Sequence, residues 1–321
     1  MSLWENMSNP FFSVCIPTYG RAQSLRRAIK GVLAQSFTDY EVVVTDNCSP
    51  DETEKIVRSF PSKAIRYFKN EKNLGMVGNW NRALSHAKGE YVAFLFDDDE
   101  FLPNHLEEAR KALTSNANVG IYAVGNQVSI LPWQGLIPAK EYFRYIYSMR
   151  YVSTPSETIF RREHKGKPYT ISKKYAYCPE VALYLEIASD GFNAYHSHLQ
   201  TALRHSGKES NSNVRAYTWI PFADKFAIIE AYKHNRFLTK KDYKRALKLN
   251  ARRAFEKYVG AKIKRIGEPE KIFQGIKNAI KRRLPFTYIT LRVMKKGVDI
   301  GTTLHLLSLG NARFLYRIFS K

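Results

Sequence analysis

Three adjacent carboxylates, Asp97-Asp98-Asp99, close an apolar run that begins at Tyr91. Three like charges side by side repel one another unless a cation lies among them. A hard divalent cation such as Mn²⁺ or Mg²⁺ takes oxygen ligands and often carries substrate phosphates. The cluster therefore indicates a metal site for a phosphate-bearing ligand. Because carboxylates also favour helix N-termini, the alternative is that these residues only precede a helix beginning near Pro103.

Groups suited to a nucleotide follow the earlier apolar runs as well. Segment 17–21, Pro-Thr-Tyr-Gly-Arg, offers an aromatic ring, a hydroxyl and a guanidinium. Asp46 and Asn47 offer hydrogen-bond acceptors and donors for a base or a ribose. Segment 73–79 is predicted to be a loop, whose glycines let the backbone approach a ligand closely. The first run is not followed by G-x-G-x-x-G, and the chain has no Walker A motif, which argues against a dinucleotide fold and a P-loop.

Alternating strands and helices in the first hundred residues must bring these groups together. Apolar segments 11–16, 40–45 and 64–68 predict strands, and helical spacing predicts helices over 22–35 and 51–60, with a third helix ending at His86. Such alternation is typical of right-handed crossovers and a mostly parallel sheet. Ligands bind at the carboxyl ends of the strands in such sheets. We therefore expect an α/β nucleotide-binding domain with the polar loops at one edge.

The rest of the chain gives weaker local signals. Residues 119–130 predict a further strand, and 131–179 are rich in aromatic residues and prolines and predict irregular acceptor-binding loops. Residues 180–189 have an apolar helical face, and from Phe222 onward the pattern is helical with dense Lys and Arg. The second half is therefore expected to supply an acceptor region and then a basic helical region.

Several pieces of this sequence, in order between about residues 11 and 103, resemble family 2 glycosyltransferases of the GT-A fold. The resemblance implies a mostly parallel sheet flanked by helices, a nucleotide-sugar donor that is commonly UDP-linked, a divalent metal, and inversion at the anomeric carbon. The matching pieces are Pro17-Thr18-Tyr19-Gly20-Arg21, Gln35-Ser36, the segment from Val42 to Asp51, Asn73-x-Gly75, Gly89-Glu90-Tyr91, and the aspartate cluster before Leu102-Pro103.

The resemblance also implies roles for individual residues: Asp46 and Tyr19 hold the nucleoside, and the aspartate cluster serves ribose and metal. Phe96 stands where the family has its first aspartate, which makes Asp98 the first choice of metal ligand, with Asp99 beside it. Segment 79–81 is Asn-Trp-Asn where the family often has Ala-Arg-Asn, so the arginine is absent. The predicted donor-binding residues are Pro17, Thr18, Tyr19, Arg21, Asp46, Asn73, Gly75, Asn81 and Asp97.

Two later segments resemble parts of the family's catalytic machinery. An acceptor hydroxyl is a poor nucleophile and needs a base. Glu180, in Cys178-Pro179-Glu180, matches the family's acidic residue at the head of a helix and is the predicted catalytic base; the alternative is a first-turn carboxylate that only complements the helix dipole. His205 matches the segment that approaches the diphosphate and is a predicted metal or phosphate ligand, or else a structural hydrogen-bonding group.

Positive charge is concentrated at the C-terminal end. The chain has a net charge of +22, and residues 224–321, with 25 Lys or Arg against 7 Asp or Glu, carry +18 of it. We therefore predict a GT-A domain over 1–223, with a donor half at about 11–125 and an acceptor half at 126–223, and a basic region over 224–321. Such a region attracts an anionic membrane surface or nucleic acid, or is a solvated face that packs on the first domain.

The function expected from these features is transfer of a hexose from a nucleotide-sugar to a hydroxyl of a glycan or lipid-linked saccharide, in cell-surface polysaccharide synthesis. The chain has no apolar run long enough for a membrane helix and no secretory signal at its N-terminus, and it has three widely spaced cysteines. We therefore expect a cytoplasmic enzyme, peripheral on the cytoplasmic face of a membrane. The alternatives are a basic nucleic-acid-binding protein, disfavoured because it has no zinc-finger or RNP-type motif, and a catalytically inactive GT-A scaffold at the membrane.

Overall fold

A computed structural model describes residues 9–125, 134–148, 154–175, 177–204 and 220–264, with a few further positions between 270 and 278. The chain divides into two units, Met1–Ser210 and Asn211–Lys321. The predicted residues of the site, other than His205, are described and belong to the first unit.

A mixed eight-stranded sheet lies at the centre of the first unit in the described residues. In spatial order its strands are β3 (Ile65–Lys69), β2 (Tyr40–Asp46), β1 (Phe12–Thr18), β4 (Tyr91–Phe94), β8 (Thr158–Arg161), β6 (Val119–Val124), β11 (Asn193–Ser197) and β7 (Gly135–Ile137). The first four are mutually parallel, and β6 is parallel to β11. β8 is antiparallel to both neighbours, and β7 is antiparallel to β11. The predicted α/β fold with a mostly parallel sheet is confirmed.

Helices and short strand pairs complete the first unit. Two antiparallel pairs lie outside the main sheet: β5 (Asp99–Phe101) with β12 (Ala202–Arg204), and β9 (Glu163–His164) with β10 (Lys167–Pro168). The helices are α1 (Ala22–Leu33), α2 (Thr53–Arg58), α3 (Gly75–His86), α4 (His105–Thr114), α5 (Ala139–Tyr147) and α6 (Pro179–Ser189), together with a 3-10 turn at Pro155–Glu157.

The first strands are apolar along their whole length because both faces of the sheet are covered. Phe12, Val14 and Ile16 of β1 share one buried cluster with the apolar faces of α1 and α4. Cys15 points to the other face, where its thiol lies 3.8 Å from the carbonyl oxygen of Ala83 in α3. Continuous apolar runs, rather than strict alternation, are what such doubly covered strands require.

Two expectations about local structure were wrong. The glycine-containing segment 73–79 is largely helical, since α3 already begins at Gly75, whose φ of +72° suits a glycine. Residues 131–179 are not irregular throughout, because they contain α5 and the central strand β8. α5 and β8 are short, and the residues beside them show no regular spacing of apolar side chains from which a helix or strand could be predicted.

The described part of the second unit contains two helices that pack against each other, α7 (Ile220–Ala231) and α8 (Lys240–Lys264). The hydroxyl of Tyr243 in α8 donates to a carboxylate oxygen of Glu230 in α7 at 3.0 Å. A bilayer-spanning helix needs a long and predominantly apolar stretch. Among the described residues, no helix meets both conditions.

Candidate active site

The site lies at the edge of the sheet where β1, β2 and β4 end. Thr18, the last residue of β1, is in register with Asp46, the last residue of β2. Its hydroxyl donates a 2.7 Å hydrogen bond to Oδ2 of Asp97, three residues after β4. Parallel strands present their carboxyl ends at one edge, where α/β proteins bind their ligands. The structure therefore brings three of the predicted donor-binding residues together.

Arg21 joins two of the three aspartates. Its Nη1 lies 3.0 Å from Oδ1 of Asp97 and 3.1 Å from Oδ2 of Asp98. The side chain of Asp97 is 6% exposed, that of Asp98 28% and that of Arg21 36%. The guanidinium of Arg21 therefore supplies a positive charge beside Asp97 and Asp98.

Burial and the neighbouring charges shift the pKa values of Arg21 and Asp97 in opposite directions. Burial alone would lower the pKa of Arg21, but the charges of Asp97 and Asp98 outweigh it and raise that pKa. For Asp97 burial dominates and raises the carboxyl pKa, although Arg21 and the hydrogen bond from Thr18 both favour the anion. The buried carboxylate therefore depends on these two partners to remain charged.

The turn formed by residues 96–98, here called the aspartate turn, is held in place by residues that the sequence analysis did not single out. The amide of Phe96 donates to Oγ of Ser156 at 3.1 Å, and Nη2 of Arg27 donates to the carbonyl oxygen of Asp98 at 3.2 Å. The ring of Phe96 stacks on Trp80 with centroids 5.0 Å apart. Neither Ser156 nor Arg27 belongs to a recognisable motif, so only the tertiary structure reveals their positions.

Asp46, the last residue of β2, is fully buried. It has no exposed surface, and its two carboxylate oxygens accept hydrogen bonds from the amide of Ser49 at 2.8 Å and the hydroxyl of Tyr67 at 2.6 Å. Burial and the charge of Asp46 both raise the pKa of Tyr67. Of the predicted nucleoside-binding pair, Tyr19 is the accessible member, at 49% exposure.

A network of side-chain amides connects the end of β2 to the start of α3. Nδ2 of Asn47 donates to Oδ1 of Asn73 at 2.9 Å, and the same oxygen accepts from the amide of Gly75 at 2.8 Å. Oδ1 of Asn47 accepts from the amide of Leu74 at 2.8 Å. The predicted residues Asn73 and Gly75 are thus held beside Asp46 and Asn47 at the sheet edge.

Two other predicted donor-binding residues are engaged elsewhere. Asn81 uses its amide nitrogen and oxygen on the backbone of Ile171, with both hydrogen bonds at 2.8 Å, so it ties α3 to the segment after β10. Pro17 is buried within β1. Both positions favour a structural contribution to the site.

Glu180 stands in the first turn of α6, which leads into β11. β4 and β6 point the same way because both are antiparallel to β8, and β11 is parallel to β6. Only three residues join α6 to β11, and a helix that enters a strand through so short a loop runs roughly opposite to that strand. The N-terminal end of α6, and Glu180 with it, therefore lies at the sheet edge that also carries Asp97.

Tyr184, one helical turn after Glu180, supports this placement. Burial and then the charge of Glu180 raise the pKa of Tyr184, whose hydroxyl also bonds with Thr158 at the start of β8. The preceding 3-10 turn contains Ser156, which binds the aspartate turn through Phe96. A continuous series of contacts thus runs from the head of α6 to the aspartates.

The residues present fit a divalent cation only in a shared site. Within the described ranges, no group of three or more His, Cys, Asp or Glu side chains is placed to hold a metal ion. Asp97 and Asp98 offer two adjacent carboxylates, and Mg²⁺ is commonly held by one or two carboxylates with substrate phosphates completing its shell. Asp99 begins β5 and is buried, and the predicted ligand His205 lies outside the described residues.

The sequence profile of glycosyl transferase family 2 matches residues 13–166, which contain β1 to β9 and the aspartate turn. Residues 13–166 form a glycosyl transferase family 2 domain. The segment that aligns with the GalNAc(5)-diNAcBac-PP-undecaprenol β-1,3-glucosyltransferase of Campylobacter jejuni is 40% identical over 114 residues, which is 35% of this chain and 36% of that protein. The chain thus spans about a third of the length of the curated relatives it matches.

Solved structures show that the glycosyl transferase family 2 domain has the GT-A fold. S. aureus TarS 1–349, solved with UDP-GlcNAc, has a TM-score of 0.64 at 16% identity and is covered over 87% of its chain, against 89% of this chain. The mannosyltransferase PcManGT of Pyrobaculum calidifontis, solved with GDP-Man and Mn²⁺, has a TM-score of 0.58 at 19% identity, with 97% of this chain and 82% of its own covered.

Proposed function

We propose that this chain is an inverting glycosyltransferase that moves a hexose from a nucleotide-sugar, a UDP-sugar in particular, to a hydroxyl of a glycan or lipid-linked saccharide. The observation that carries the proposal is the cluster of Thr18, Arg21, Asp97 and Asp98 at the carboxyl edge of a family 2 domain. The resemblance stated from the sequence and the UDP-GlcNAc complex of TarS support a UDP-linked donor.

The exposed groups at this edge suit a nucleoside. Among the large apolar side chains, Tyr19, Leu74 and Met76 are unusually exposed, and they lie on the loop after β1 and at the start of α3. Aromatic and apolar side chains bind the faces of bases without regard to their edges. Asp46, being buried, contributes by fixing the loop after β2 through Ser49 rather than by direct contact.

The negative charge of the diphosphate is proposed to be balanced by Arg21 and by a metal ion bound at the aspartates. Asp98 is the more exposed carboxylate and is the proposed metal ligand, with Asp99 and His205 as the further ligands predicted from the sequence. A Mn²⁺ or Mg²⁺ ion bound there would neutralise the departing nucleoside diphosphate. Arg21 adds a fixed positive charge at the same edge, which favours the developing charge on the leaving group.

Glu180 is the proposed catalytic base. Inversion requires the acceptor hydroxyl and its base to lie on the face of the sugar opposite the leaving diphosphate, and Glu180, in the first turn of α6, is proposed to serve that face. The carboxylate removes the proton of the acceptor hydroxyl as its oxygen forms a bond to the anomeric carbon and the diphosphate oxygen leaves. A single displacement of this kind inverts the anomeric centre.

Nucleotide binding tests the proposal directly. UDP, GDP, CDP and dTDP are titrated calorimetrically, with and without Mn²⁺, into the wild type and into Asp98→Ala. We expect Mn²⁺-dependent binding of UDP that Asp98→Ala abolishes. Asp39→Ala is the matched control, since Asp39 is exposed and precedes β2 at the opposite edge of the sheet. Binding of no nucleotide at all would overturn the proposal and favour an inactive scaffold or a nucleic-acid-binding protein.

The acceptor is proposed to be presented at an anionic membrane surface that contacts the basic second unit. In α8, Lys241, Arg245, Lys248 and Arg252 follow helical spacing and are exposed or at the surface, whereas Ala246, Leu247 and Ala251 are buried. Within the described residues, Lys241, Arg245 and Lys248 form no ion pair. Exposed cations along one face of a helix suit the anionic lipids of the cytoplasmic leaflet, which attract each Lys or Arg by about 1 kcal/mol.

Vesicle binding distinguishes a membrane-binding surface on α8 from a general effect of the protein's positive charge. We expect vesicles with anionic lipid, but not neutral vesicles, to bind the protein. Replacing Lys241, Arg245 and Lys248 together by Gln should weaken that binding by about tenfold or more. The matched control replaces Lys30, Lys63 and Lys140, exposed lysines of the first unit, by Gln. Equal losses in the two triple variants, or displacement of vesicles by duplex DNA at far lower concentration, would contradict the membrane assignment.

A further inference from the structure

We propose that Arg21 is the resident counter-cation of Asp97 and Asp98, and that a divalent cation arriving with a nucleoside diphosphate takes its place at Asp98 only. Arg21 then keeps Asp97 and turns its remaining donors to the diphosphate. This inference rests on the proposed function of the site. It concerns which of the two carboxylates exchanges Arg21 for a divalent cation, and it is argued from the contacts of the three side chains.

The two carboxylates are bound unequally. Asp97 accepts from Thr18 at 2.7 Å and from Arg21 at 3.0 Å, and only 6% of its side chain is exposed. The Asp98 carboxylate has Arg21 as its hydrogen-bond partner, at 3.1 Å, and is 28% exposed. Releasing Asp97 would leave a buried anion with one partner, whereas Asp98 can exchange Arg21 for another cation at the surface. The exchange therefore takes place at Asp98.

The guanidinium of Arg21 has N–H groups that its contacts with Asp97 and Asp98 do not use. Both contacts come from Nη1, and within the described residues Nε and Nη2 of Arg21 make no hydrogen bond. A guanidinium carries five N–H groups in a planar fork that matches phosphate oxygens. Arg21 can therefore bind a phosphate through Nε and Nη2 while Nη1 remains on Asp97.

The backbone around the bridge is fixed, so only side chains need to move. Arg21 precedes α1, where its carbonyl oxygen accepts from the amide of Leu25 at 3.0 Å. Asp98 is held through its own carbonyl oxygen by Arg27 at 3.2 Å. A rotation of the Arg21 and Asp98 side chains is thus sufficient for the exchange.

Metal and nucleotide binding should respond in opposite directions to loss of Arg21. In Arg21→Gln, Mn²⁺ alone should bind about 3- to 10-fold more tightly, because its competitor at Asp98 is gone. UDP in the presence of saturating Mn²⁺ should bind about tenfold more weakly, because a charged hydrogen-bond partner of the diphosphate is lost. A merely structural arginine would weaken both or change neither.

The experiment measures free Mn²⁺ by electron paramagnetic resonance and UDP binding by calorimetry, in the full chain. Arg26→Gln is the control: it makes the same charge change in the helix that Arg21 precedes, without a described contact to either aspartate. Arg21→Lys, which keeps the charge, should bind Mn²⁺ alone as the wild type does and covers the case in which Arg21→Gln fails to fold. Unchanged or weaker Mn²⁺ affinity in Arg21→Gln, or tighter Mn²⁺ binding in Arg21→Lys, overturns the inference. Failure of the wild type to bind any nucleotide would instead overturn the proposed function.

Discussion

The hydroxyl of Tyr67 on β3 donates a 2.6 Å hydrogen bond to Oδ2 of Asp46, the last residue of β2. Burial and the charge of Asp46 raise the pKa of this phenol, so it keeps its proton, and the hydrogen bond, in alkaline solution as well as at neutral pH. Asp46 in turn accepts from the amide of Ser49. The carboxylate of Asp46 thus joins β3 to the loop after β2.

Tyr67→Phe tests this connection. It removes a hydrogen bond to a charged acceptor, so we expect a loss of about 1 to 2 kcal/mol in the free energy of unfolding, measured in urea. Tyr40→Phe is the control, because Tyr40 donates to the neutral carbonyl oxygen of Val32 at 2.9 Å. Its loss should be smaller, at about 0.5 to 1 kcal/mol. Equal losses in the two variants would show that the charge of Asp46 adds nothing to the bond.

His105 is expected to make stability pH-dependent. It has no exposed surface, and burial lowers its pKa to about 3. In the unfolded chain the same imidazole takes up a proton below about pH 6.5. The unfolded state then binds more protons than the folded one, so this contribution to stability is complete above pH 6.5 and is lost as the pH falls towards 3.

The measurement compares unfolding in urea at pH 7.5 and pH 5 for the wild type and His105→Gln. The wild type should lose about 2 kcal/mol more than the variant over this interval. The difference between the two pH dependences, rather than the absolute stability of the variant, is the readout, since other histidines titrate in both proteins. An identical pH dependence would mean that His105 takes up its proton as readily in the folded state as in the unfolded state.

Gly89→Ala should be strongly destabilising. A Cβ atom at Gly89 would lie 2.5 Å from the amide nitrogen of Ser13 and 2.6 Å from the carbonyl carbon of Phe12, and backbone atoms cannot move aside cheaply. We expect a loss of about 1 to 3 kcal/mol, measured by thermal or urea unfolding. Gly125→Ala is the control, because the nearest atom to its Cβ would be 3.6 Å away. A loss in Gly89→Ala no larger than in the control would refute the close approach.

Glu180→Gln should reduce turnover by about 100-fold or more while leaving nucleotide binding intact, because a general base is lost without a change in shape. Transfer from a UDP-sugar is measured alongside calorimetric UDP binding. Glu186→Gln, in the same helix but exposed, is the control and should keep full turnover. Full activity in Glu180→Gln would assign Glu180 to the helix dipole alone.

The sequence predicted the first half of the sheet well because both faces of β1, β2 and β4 are buried and their apolar runs are unbroken. It also predicted that Thr18, Asp46 and Asp97 meet, since parallel strands share a carboxyl edge. β8 was missed because it has only four residues and follows a short 3-10 turn, so no period develops.

Some contacts of the site had no signal in the sequence. The bond from Tyr67 to Asp46 depends on the register of β2 and β3, and the bond from Phe96 to Ser156 joins residues 60 positions apart. The role of Arg21 as the cation beside Asp97 needed the distances themselves. Residue types indicated the chemistry, whereas side-chain pairing over long separations set the geometry.

β8 has a consequence for how the protein is made. It lies between β4 and β6 and is antiparallel to both, yet it is synthesised after them. Until residue 161 has left the ribosome, β4 therefore keeps one open edge, and β6, whose other neighbour β11 is made later still, keeps two. Unpaired strand edges promote association with other chains. We expect nascent chains from which β6 has left the ribosome and β8 has not to be the species most dependent on chaperones.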